Sequence, residues 1–521
     1  MTKGREKSDG RVVPEGRRKA IPTAEQGGKA VTASKEARQL GLNFGTADSP
    51  KGDDARAEKG RARSARSAVP KPKSRTRGVR PAMTMEEVAD EENLREAFAQ
   101  VASNDGAPGP DRQSVEEVAR HLLTIVPSVR RALLDGSYQP GEIRRVWIPK
   151  AGGGQRGLGI PNVIDRLVQQ AVHVVLSPHY EETFHASSHG FRPGKSCHTA
   201  IAEAVEYLEE GYEWVVDIDL EKFFDRVNHD RLLSKLGEKI RDGRLLRLIR
   251  QMLKAKVVMP DGVVVSTEEG TPQGGPLSPL LSNIVLDELD RELTRRGHRF
   301  VRYADDCNIY VRSERSGQRV MESVRGFIER RLRLKVNADK SAVARPEERH
   351  FLGFRLRREP MDGNVEVLLS KRSRDRIYEK VRELTPRTWG QKLSVCLQGI
   401  KAYLTGWIGF FGICTESEER TLQAIDAHIR RRLRAILLRQ WKRRRTIVRR
   451  LIELGVSAKT AWNGIYHERR SWWALSHSNP VDRGLRNAIF AERGLVSVAE
   501  QWKRWRQRHV NVPTQQSLPW G

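Results

Sequence analysis

The chain has 521 residues, of which 94 are Lys or Arg and 66 are Asp or Glu, so its formal net charge at pH 7 is +28. This surplus favours a polyanionic partner, although it does not distinguish RNA from DNA. No apolar run reaches the roughly 18 residues that a membrane-spanning helix needs. The four cysteines lack a CxxC pair, which excludes a disulfide framework and a cysteine-ligated zinc site.

Residues 1–84 differ in composition from the rest of the chain. They are rich in Lys, Arg, Ser, Ala, Gly and Pro, and Phe44 is their single aromatic residue. Such a segment cannot bury enough apolar surface to order its backbone, so we predict a mobile basic arm. A transit peptide is the alternative, but the acids Glu6, Asp9 and Glu15 argue against it.

The first strand signals flank a glycine-rich turn. Residues 144–150 and 156–161 predict the two strands of a β-hairpin whose tip is the small-residue segment 152–154. Lys150 and Arg156 stand on either side of this tip. They are either solvated hairpin charges or cations that could fold over a phosphate group.

A strand with two acids follows. In the segment 214–220, WVVDIDL, the apolar residues Val216, Ile218 and Leu220 alternate with Asp217 and Asp219. The period of two predicts a strand with both carboxylates on one face. A solvated strand face and a metal ligand are both consistent with this pattern, and either acid could be the ligand.

The next feature is a loop, GTPQGGPLSPLLSN at residues 270–283, that leads into a helical apolar pattern. Gly274 and Gly275 remove side-chain bulk and allow a close approach to a ligand. The amino terminus of the following helix would favour a phosphate or a base edge nearby. An ordinary loop before a helix is the alternative.

Two adjacent acids interrupt the apolar run at residues 300–311. The tetrapeptide YADD, from Tyr303 to Asp306, predicts a turn between two strands that exposes Asp305 and Asp306. Paired carboxylates suit a hard cation such as Mg²⁺, although Asp is also common in ordinary turns. With the upstream acid, the set matches the need of nucleotide joining for two metals about 3.5–4 Å apart.

The strand acid, the PQGGPLSP loop and the YADD turn, in this order, resemble the reverse transcriptases, also called maturases, that bacterial group II introns encode. Further matching segments are residues 106–111, 144–150, 156–161, 165–166, 187–196 and 351–354. The resemblance covers residues 90–450 closely and the remainder more loosely. It implies an α+β right-hand polymerase with mixed fingers, an antiparallel palm sheet, a helical thumb and a helical carboxyl-terminal maturase domain.

The resemblance also implies domain bounds and residue roles. The expected domains are the arm at 1–84, fingers and palm at 85–360, the thumb at 361–415, and an RNA- and DNA-binding maturase region at 416–521. In the family an aromatic pair follows the metal-binding acid, which favours Asp219 over Asp217, although a contribution from Asp217 stays open. The implied catalytic and metal-binding residues are Asp219, Asp305 and Asp306, with two Mg²⁺ ions or Mn²⁺ as a substitute. The implied nucleotide-binding residues are Lys150, Arg156, Phe224, Gln273 and Lys340.

The pattern after the palm is helical. Apolar residues three and four apart predict helices over 374–384 and 392–411, and then a helix whose apolar stripe includes Leu422, Ile425 and Ile429. Its other faces are basic. A charge run is usually a solvated face, but beside this resemblance we favour RNA binding. The expected RNA-binding residues are Arg430, Arg431, Arg432, Arg434, Lys442, Arg443 and Arg444.

These features predict an RNA-directed DNA polymerase that copies intron RNA during retrohoming and assists its splicing. The expected partners are group II intron RNA, a primed RNA template, dNTPs and target DNA, in the bacterial cytosol or nucleoid. The oligomeric state stays open. The carboxyl-terminal segment lacks the paired cysteines and histidines of the family's DNA endonuclease, so we expect no second-strand cleavage. The alternatives are a non-catalytic splicing factor and a domesticated enzyme of DNA repair or phage defence.

Overall fold

The computed structural model describes residues 82–149, 153–361, 363–386, 392–467 and 471–509. The predicted basic arm lies outside these residues except for its last few positions. Lys150 lies outside them as well.

The first part of the described chain mixes helices with short strands. In chain order its elements are α1 (Met85–Val88), α2 (Glu91–Ser103), α3 (Val115–Arg120), α4 (Leu122–Asp135), β1 (Ile143–Pro149), β2 (Gln155–Ile160), α5 (Val163–Glu181), α6 (Cys197–Glu209), β3 (Trp214–Ile218), α7 (His229–Gly237), α8 (Gly243–Leu253), β4 (Val257–Val258), β5 (Val264–Val265), α9 (Ser278–Arg295), β6 (Arg299–Tyr303), β7 (Asp306–Val311), α10 (Glu314–Phe327), β8 (Ala342–Ala344), β9 (Phe354–Arg358) and β10 (Val365–Leu369).

Helices make up the regular structure of the later part. They are α11 (Lys371–Leu384), α12 (Leu393–Phe411), α13 (Glu419–Trp441), α14 (Arg444–Glu453), α15 (Ala458–Tyr466), α16 (Trp472–Leu475), α17 (Asn479–Gly484), α18 (Asn487–Glu492) and α19 (Val498–His509). Helix α11 begins before the predicted position 374 because the Ser370 hydroxyl caps it by accepting a hydrogen bond from the Ser373 N–H (3.1 Å). Within the described ranges, no helix has both the length and the apolar character needed to cross a bilayer.

Three sheets organise the strands. The fingers sheet has the order β2-β1-β4-β5, and the predicted hairpin pairs β1 with β2 in antiparallel register, Pro149 opposite Gln155. The palm sheet has the order β6-β7-β3-β8, and all of its pairs are antiparallel. Strands β9 and β10 form a separate antiparallel pair.

The palm sheet is covered on both faces. Val216 and Ile309 pack on one face with α-helices of the fingers and palm, whereas Val215, Val301 and Tyr310 pack on the other with α6, β9, β10 and the later helices. This division follows the alternation of side chains along a strand. A polar side chain on such a sheet needs an internal partner or a place at the strand end.

The architecture is α+β, with an antiparallel palm sheet and a helical carboxyl-terminal part, as the sequence predicted. The bounds given above for arm, thumb and maturase region remain a prediction.

Candidate active site

The predicted acids meet at one edge of the palm sheet. Strands β3 and β7 pair with Asp217 opposite Asn308 and Ile218 opposite Cys307, so the same register places Asp219 opposite Asp306. Strands β6 and β7 are joined by a two-residue turn, Ala304–Asp305, in which Ala304 has a φ of +56°. The three predicted carboxylates therefore lie at adjoining strand ends.

The acids of the turn influence one another electrostatically. Burial raises the pKa of Asp305, and the negative charge of Asp219 raises it further. Burial also raises the pKa of Asp306 to about 7, together with the charges of Asp305, Asp217 and Asp219. Asp306 is exposed to solvent, and the protein atoms and carboxylates around it still raise its pKa. Such an arrangement favours a bound cation.

Asp217, within β3, and Asp219, just after its end, have different partners. The Asp217 Oδ2 atom accepts hydrogen bonds from Arg349 Nε (2.9 Å) and Nη2 (2.6 Å). Asp219 instead lies near the predicted Lys340, whose Nζ atom is 3.9 Å from Asp219 Oδ2. The Asp219 backbone N–H is held by Ser341 Oγ at 3.0 Å. This difference supports the choice of Asp219, and its role as a ligand remains a prediction.

The oxygen atoms of the three predicted carboxylates are suitable ligands for a hard divalent cation. Asp219, Asp305 and Asp306 supply only carboxylate oxygens, and the charges of Asp219 and Asp305 are close enough to raise the pKa of Asp306. As the side chains stand, no three His, Cys, Asp or Glu groups in the described part of the chain are close enough together to hold one ion.

A fully buried arginine supports the turn from below. Arg302 pairs with Asp290 through Nε–Oδ1 (2.7 Å) and Nη2–Oδ2 (2.5 Å), and both side chains have no exposed surface. It also donates to the Ala304 carbonyl (2.9 Å), to Asn283 Oδ1 (3.0 Å) and to Ser188 Oγ (2.6 Å). Sequence reasoning missed this residue. Its signal was a charged residue at an inward position of a strand, two residues before the alanine of the turn.

Gly190 lies directly behind the same turn. A Cβ atom at this position would be 2.3 Å from the Ala304 backbone nitrogen, so no side chain fits there. The Gly190 carbonyl accepts a hydrogen bond from Asn283 Nδ2 (2.8 Å). The matched segment 187–196 thus contributes backbone that positions the YADD turn.

The glycine-rich loop connects the fingers to the aromatic turn after β3. The Gly159 N–H donates to the Gln273 carbonyl (2.6 Å), and the Thr271 N–H donates to the Phe224 carbonyl (2.6 Å). Gly274 has a φ of +126°, and a Cβ atom there would be 2.5 Å from the Gly159 carbonyl oxygen. Glycine is therefore required by both the backbone angle and the close contact.

Two predicted nucleotide-binding residues flank the carboxylates. Phe224 is half-buried in a single 3₁₀ turn, Phe223–Asp225, and its ring centroid is 5.2 Å from that of the buried Phe223. Arg156 is exposed on β2, and its positive charge lowers the pKa of both Asp305 and Asp306. The structure therefore brings Arg156 and Lys340 to the carboxylates. In the glycine-rich loop, the Thr271 N–H bonds to the Phe224 carbonyl and the Gln273 carbonyl bonds to the Gly159 N–H.

A cavity of about 470 Å³ lies between the segment before β9 and helix α11. Arg349, which binds Asp217, lies in its wall, and Arg355, Arg372 and Arg376 line it as well. The carboxylates Glu347, Glu348, Asp375 and Glu379 also line the cavity, so its wall carries both signs of charge.

Two family models match the chain in succession. Residues 148–356 match the reverse transcriptase (RNA-dependent DNA polymerase) family, and residues 374–452 match the group II intron, maturase-specific domain. The chain belongs to the group II intron-encoded reverse transcriptases and maturases. Its two matched domains are those of an RNA-directed DNA polymerase, a class that uses divalent metal ions, and of a splicing maturase.

Relatives of this group II intron protein are found in bacteria. Protein YkfC of Escherichia coli (strain K12) is 32% identical over 349 residues, which cover 59% of this chain and 91% of YkfC. The group II intron-encoded protein LtrA of Lactococcus lactis subsp. cremoris is 29% identical over 337 residues, 49% of this chain and 56% of LtrA. The chain thus spans about half the length of LtrA. A telomerase structure from Candida albicans, at 14% identity, has a TM-score of 0.35 over 60% of this chain and 62% of that chain, a likeness too low to carry an argument.

Within the maturase region, two of the arginines expected to bind RNA are buried. Arg432 donates from Nε to Thr385 Oγ1 (2.5 Å) and from Nη2 to the Thr385 carbonyl (2.7 Å). Arg434 donates to the Leu485 carbonyl (2.9 Å) and pairs with Asp482. Helix α13 is buried on all sides from 432 to 438 and uses both guanidinium groups inside the protein. RNA binding by Arg432 and Arg434 stays a prediction, and their internal partners argue against it.

The other predicted RNA-binding residues reach the surface. Arg430, Arg431 and Arg444 are half-exposed, whereas Lys442 and Arg443 are exposed. Their contact with RNA remains a prediction.

Proposed function

We propose that this protein copies its intron RNA into DNA by two-metal nucleotidyl transfer during retrohoming and assists the splicing of the same RNA. The single observation that carries the polymerase proposal is the gathering of Asp219, Asp305 and Asp306 at adjoining strand ends, with an internal support built around Arg302. A pure splicing factor has no chemical need for such a costly concentration of like charge.

The three carboxylates would hold two divalent ions, Mg²⁺ or Mn²⁺ in its place. When bound, these ions would lower the pKa of the primer 3′-hydroxyl and neutralise the triphosphate and the leaving pyrophosphate. Asp305 would be the firmer ligand of the turn, since Ala304 on one side of it is fixed by Arg302. Asp306 would assist.

The surrounding side chains would position the nucleotide. Arg156, with Lys150 on the other side of the hairpin tip, would bind the triphosphate as a cationic clamp. Phe224 would pack against the sugar and exclude a 2′-hydroxyl, which makes the product DNA. Gln273 would contact the incoming nucleotide or the template base. Lys340, 3.9 Å from Asp219, would donate a proton to the leaving pyrophosphate.

The basic surfaces would bind nucleic acid on either side of this site. The arginine-lined cavity beside α11 would contact the backbone of the primed template. The intron RNA would be bound by the surface cations of the maturase region, which are Arg430, Arg431, Lys442, Arg443 and Arg444. The maturase region would then bind target DNA during retrohoming. We place this activity in the bacterial cytosol or nucleoid, since the four cysteines are free thiols, as in a reducing compartment.

Primer extension on a defined RNA template, with dNTPs and Mg²⁺, tests the polymerase proposal. Asp305→Asn should abolish extension and leave RNA binding within a few-fold of the parent. Asp339→Asn is the matched control, because Asp339 is an exposed acid of the nearby turn, and it should extend normally. Absence of extension by folded parent protein that still binds intron RNA would favour the splicing-factor alternative. A flanking genome without a folded intron would instead favour a domesticated role.

A further inference from the structure

Helix α15 carries two large aromatic side chains on the protein surface. Trp462 is 45% exposed and Tyr466, one turn later, is 42% exposed. Their rings stack with a centroid separation of 5.1 Å and an interplanar angle of 27°. Packing of α15 against the rest of the protein uses other residues, Ala461 and Ile465, which are fully buried. The aromatic pair therefore does not serve the core, and both residues follow the segment that matches the maturase-specific domain.

A basic segment adjoins this pair. The Arg444 guanidinium carbon is 5.9 Å from the Tyr466 ring centroid, and Arg444 Nη1 donates to the Ile465 carbonyl (2.8 Å). These contacts fix the start of α14 against the end of α15. Lys442, Arg443 and Arg445 are exposed, and none of the three forms an ion pair with a carboxylate of the described residues. Positive charge and flat apolar surface thus occur side by side.

This combination identifies the chemistry of the occupant. An apolar protein partner would leave the cations of the segment desolvated and unpaired. A single nucleic-acid strand offers at each nucleotide a phosphate for the cations and an aromatic face for stacking. A base-paired duplex keeps its bases inside the helix and could meet only the cations. Unpaired bases of structured RNA are the usual targets of aromatic and arginine side chains.

We infer that Trp462, Tyr466 and the segment 442–445 form a binding site for single-stranded RNA, in which an unpaired base stacks on Trp462 while Lys442 and Arg443 contact flanking phosphates. The assignment of the strand as RNA rests on the proposed maturase function, since the cations belong to the maturase-specific domain. The stacking site itself requires only the aromatic pair.

Equilibrium binding of the full-length protein to labelled oligonucleotides tests this site. The probes are an unstructured RNA of about 20 nucleotides, longer than one typical single-strand site, the same sequence as DNA, and a paired RNA hairpin whose stem is closed by a non-nucleotide linker, so that it has no unpaired base. Trp462→Ala should weaken binding of the single-stranded RNA by about 5- to 150-fold, the range for loss of one stacked base. Trp462→Phe should retain most of the affinity, and affinity for the hairpin should change less than about twofold.

A matched control is available on the neighbouring helix. Ile452 is an apolar residue of α14 that is 39% exposed, so Ile452→Ala removes exposed apolar surface without removing an aromatic ring. It should bind all probes like the parent. Because stacking involves no counterion release, Trp462→Ala should also leave the slope of log affinity against log salt unchanged.

Three results would overturn the inference. They are unchanged RNA affinity in Trp462→Ala, an equal loss for the paired hairpin, and a loss confined to the DNA strand. The polymerase function is tested separately, by primer extension with the parent protein. That assay does not use Trp462→Ala, so the stacking site can fail its test while the polymerase proposal passes, and the reverse.

Discussion

The acidic edge of the palm sheet and helix α13 both concentrate charge, but the fold uses that charge in opposite ways. At the palm edge, Asp305 and Asp306 lie near Asp219, and burial and the neighbouring negative charge raise the pKa of both. In α13, Arg432 and Arg434 are satisfied by carbonyl and side-chain oxygens inside the protein. Charge in the sequence therefore does not by itself show which residues a ligand can reach, because some charged groups are bonded inside the protein.

The same contrast separates two buried arginines. Arg302 faces a carboxylate, Asp290, and both are completely buried. Arg432 faces the hydroxyl and the carbonyl of Thr385, which are neutral oxygens. Removal of the first arginine leaves a buried charge without its counter-charge, whereas removal of the second leaves the two Thr385 oxygens without a donor.

Arg302→Met should therefore give the largest effect on stability. We expect it to lower the free energy of unfolding by about 3–5 kcal/mol, since breaking one partner of a buried ion pair carries this cost. Arg432→Met should lower it by about 1–3 kcal/mol. Chemical denaturation followed by circular dichroism measures both.

A double variant makes this prediction sharper. Arg302→Met combined with Asp290→Leu removes both charges and should recover much of the stability that Arg302→Met alone removes, because apolar replacement of a whole buried pair is often neutral. If Arg302→Met and Arg432→Met lower the free energy of unfolding equally, the charge of the Asp290 partner does not add to the cost of removing Arg302.

Phe224→Ala should change selectivity at the palm edge. Removal of the ring would open the space beside the nucleotide sugar, so we expect the preference for dNTPs over rNTPs to fall by about 10- to 200-fold, the range for a steric contact in a substrate pocket. Single-nucleotide extension with each nucleotide type measures the ratio. Phe224→Tyr keeps the ring and should stay selective. If the preference for dNTPs over rNTPs is unchanged in Phe224→Ala, Phe224 serves only to pack the protein interior.

Local patterns explain which parts of the site the sequence predicted. The YADD hairpin and the acidic strand are visible in the alternation of neighbouring residues, and strand pairing then fixes which acids meet. Arg302 was missed because its support comes from a distant segment, as in its bond to Ser188, 114 residues away. Arg349 was missed for the same reason, since Asp217 lies 132 residues before it. Helix packing, which composition does not encode, buried Arg432.

The pKa of Asp306 makes metal binding depend on pH. Since that pKa is raised to about 7, the folded protein holds a proton on this carboxyl more tightly than the unfolded chain does, and the stability gained from it is lost as the pH rises through about 7. A cation and this proton compete for the same oxygens. The Mg²⁺ concentration for half-maximal extension should therefore rise as the pH falls below about 7, by up to about tenfold per pH unit.

Primer extension across a series of Mg²⁺ concentrations at each pH measures this competition. Asp306→Asn should need more Mg²⁺ at every pH and should lose most of the pH dependence, because its side chain does not titrate. A constant Mg²⁺ requirement in the parent would show that the ion does not displace a proton from Asp306.

The smallest effect is expected for the exposed cations of the maturase region, which we compare with the buried Arg432. Lys442→Gln with Arg443→Gln should weaken RNA binding a few-fold and reduce the salt slope by about 0.7–0.9 for each phosphate that is no longer neutralised. Arg432→Gln, the internal control, should lower the melting temperature and leave the slope unchanged, since Arg432 is buried and bonded to Thr385. The opposite pattern, a smaller slope only in Arg432→Gln, would mean that α13 opens when RNA binds. Because each slope counts displaced counterions, it separates arginines that touch phosphate from arginines that hold the fold.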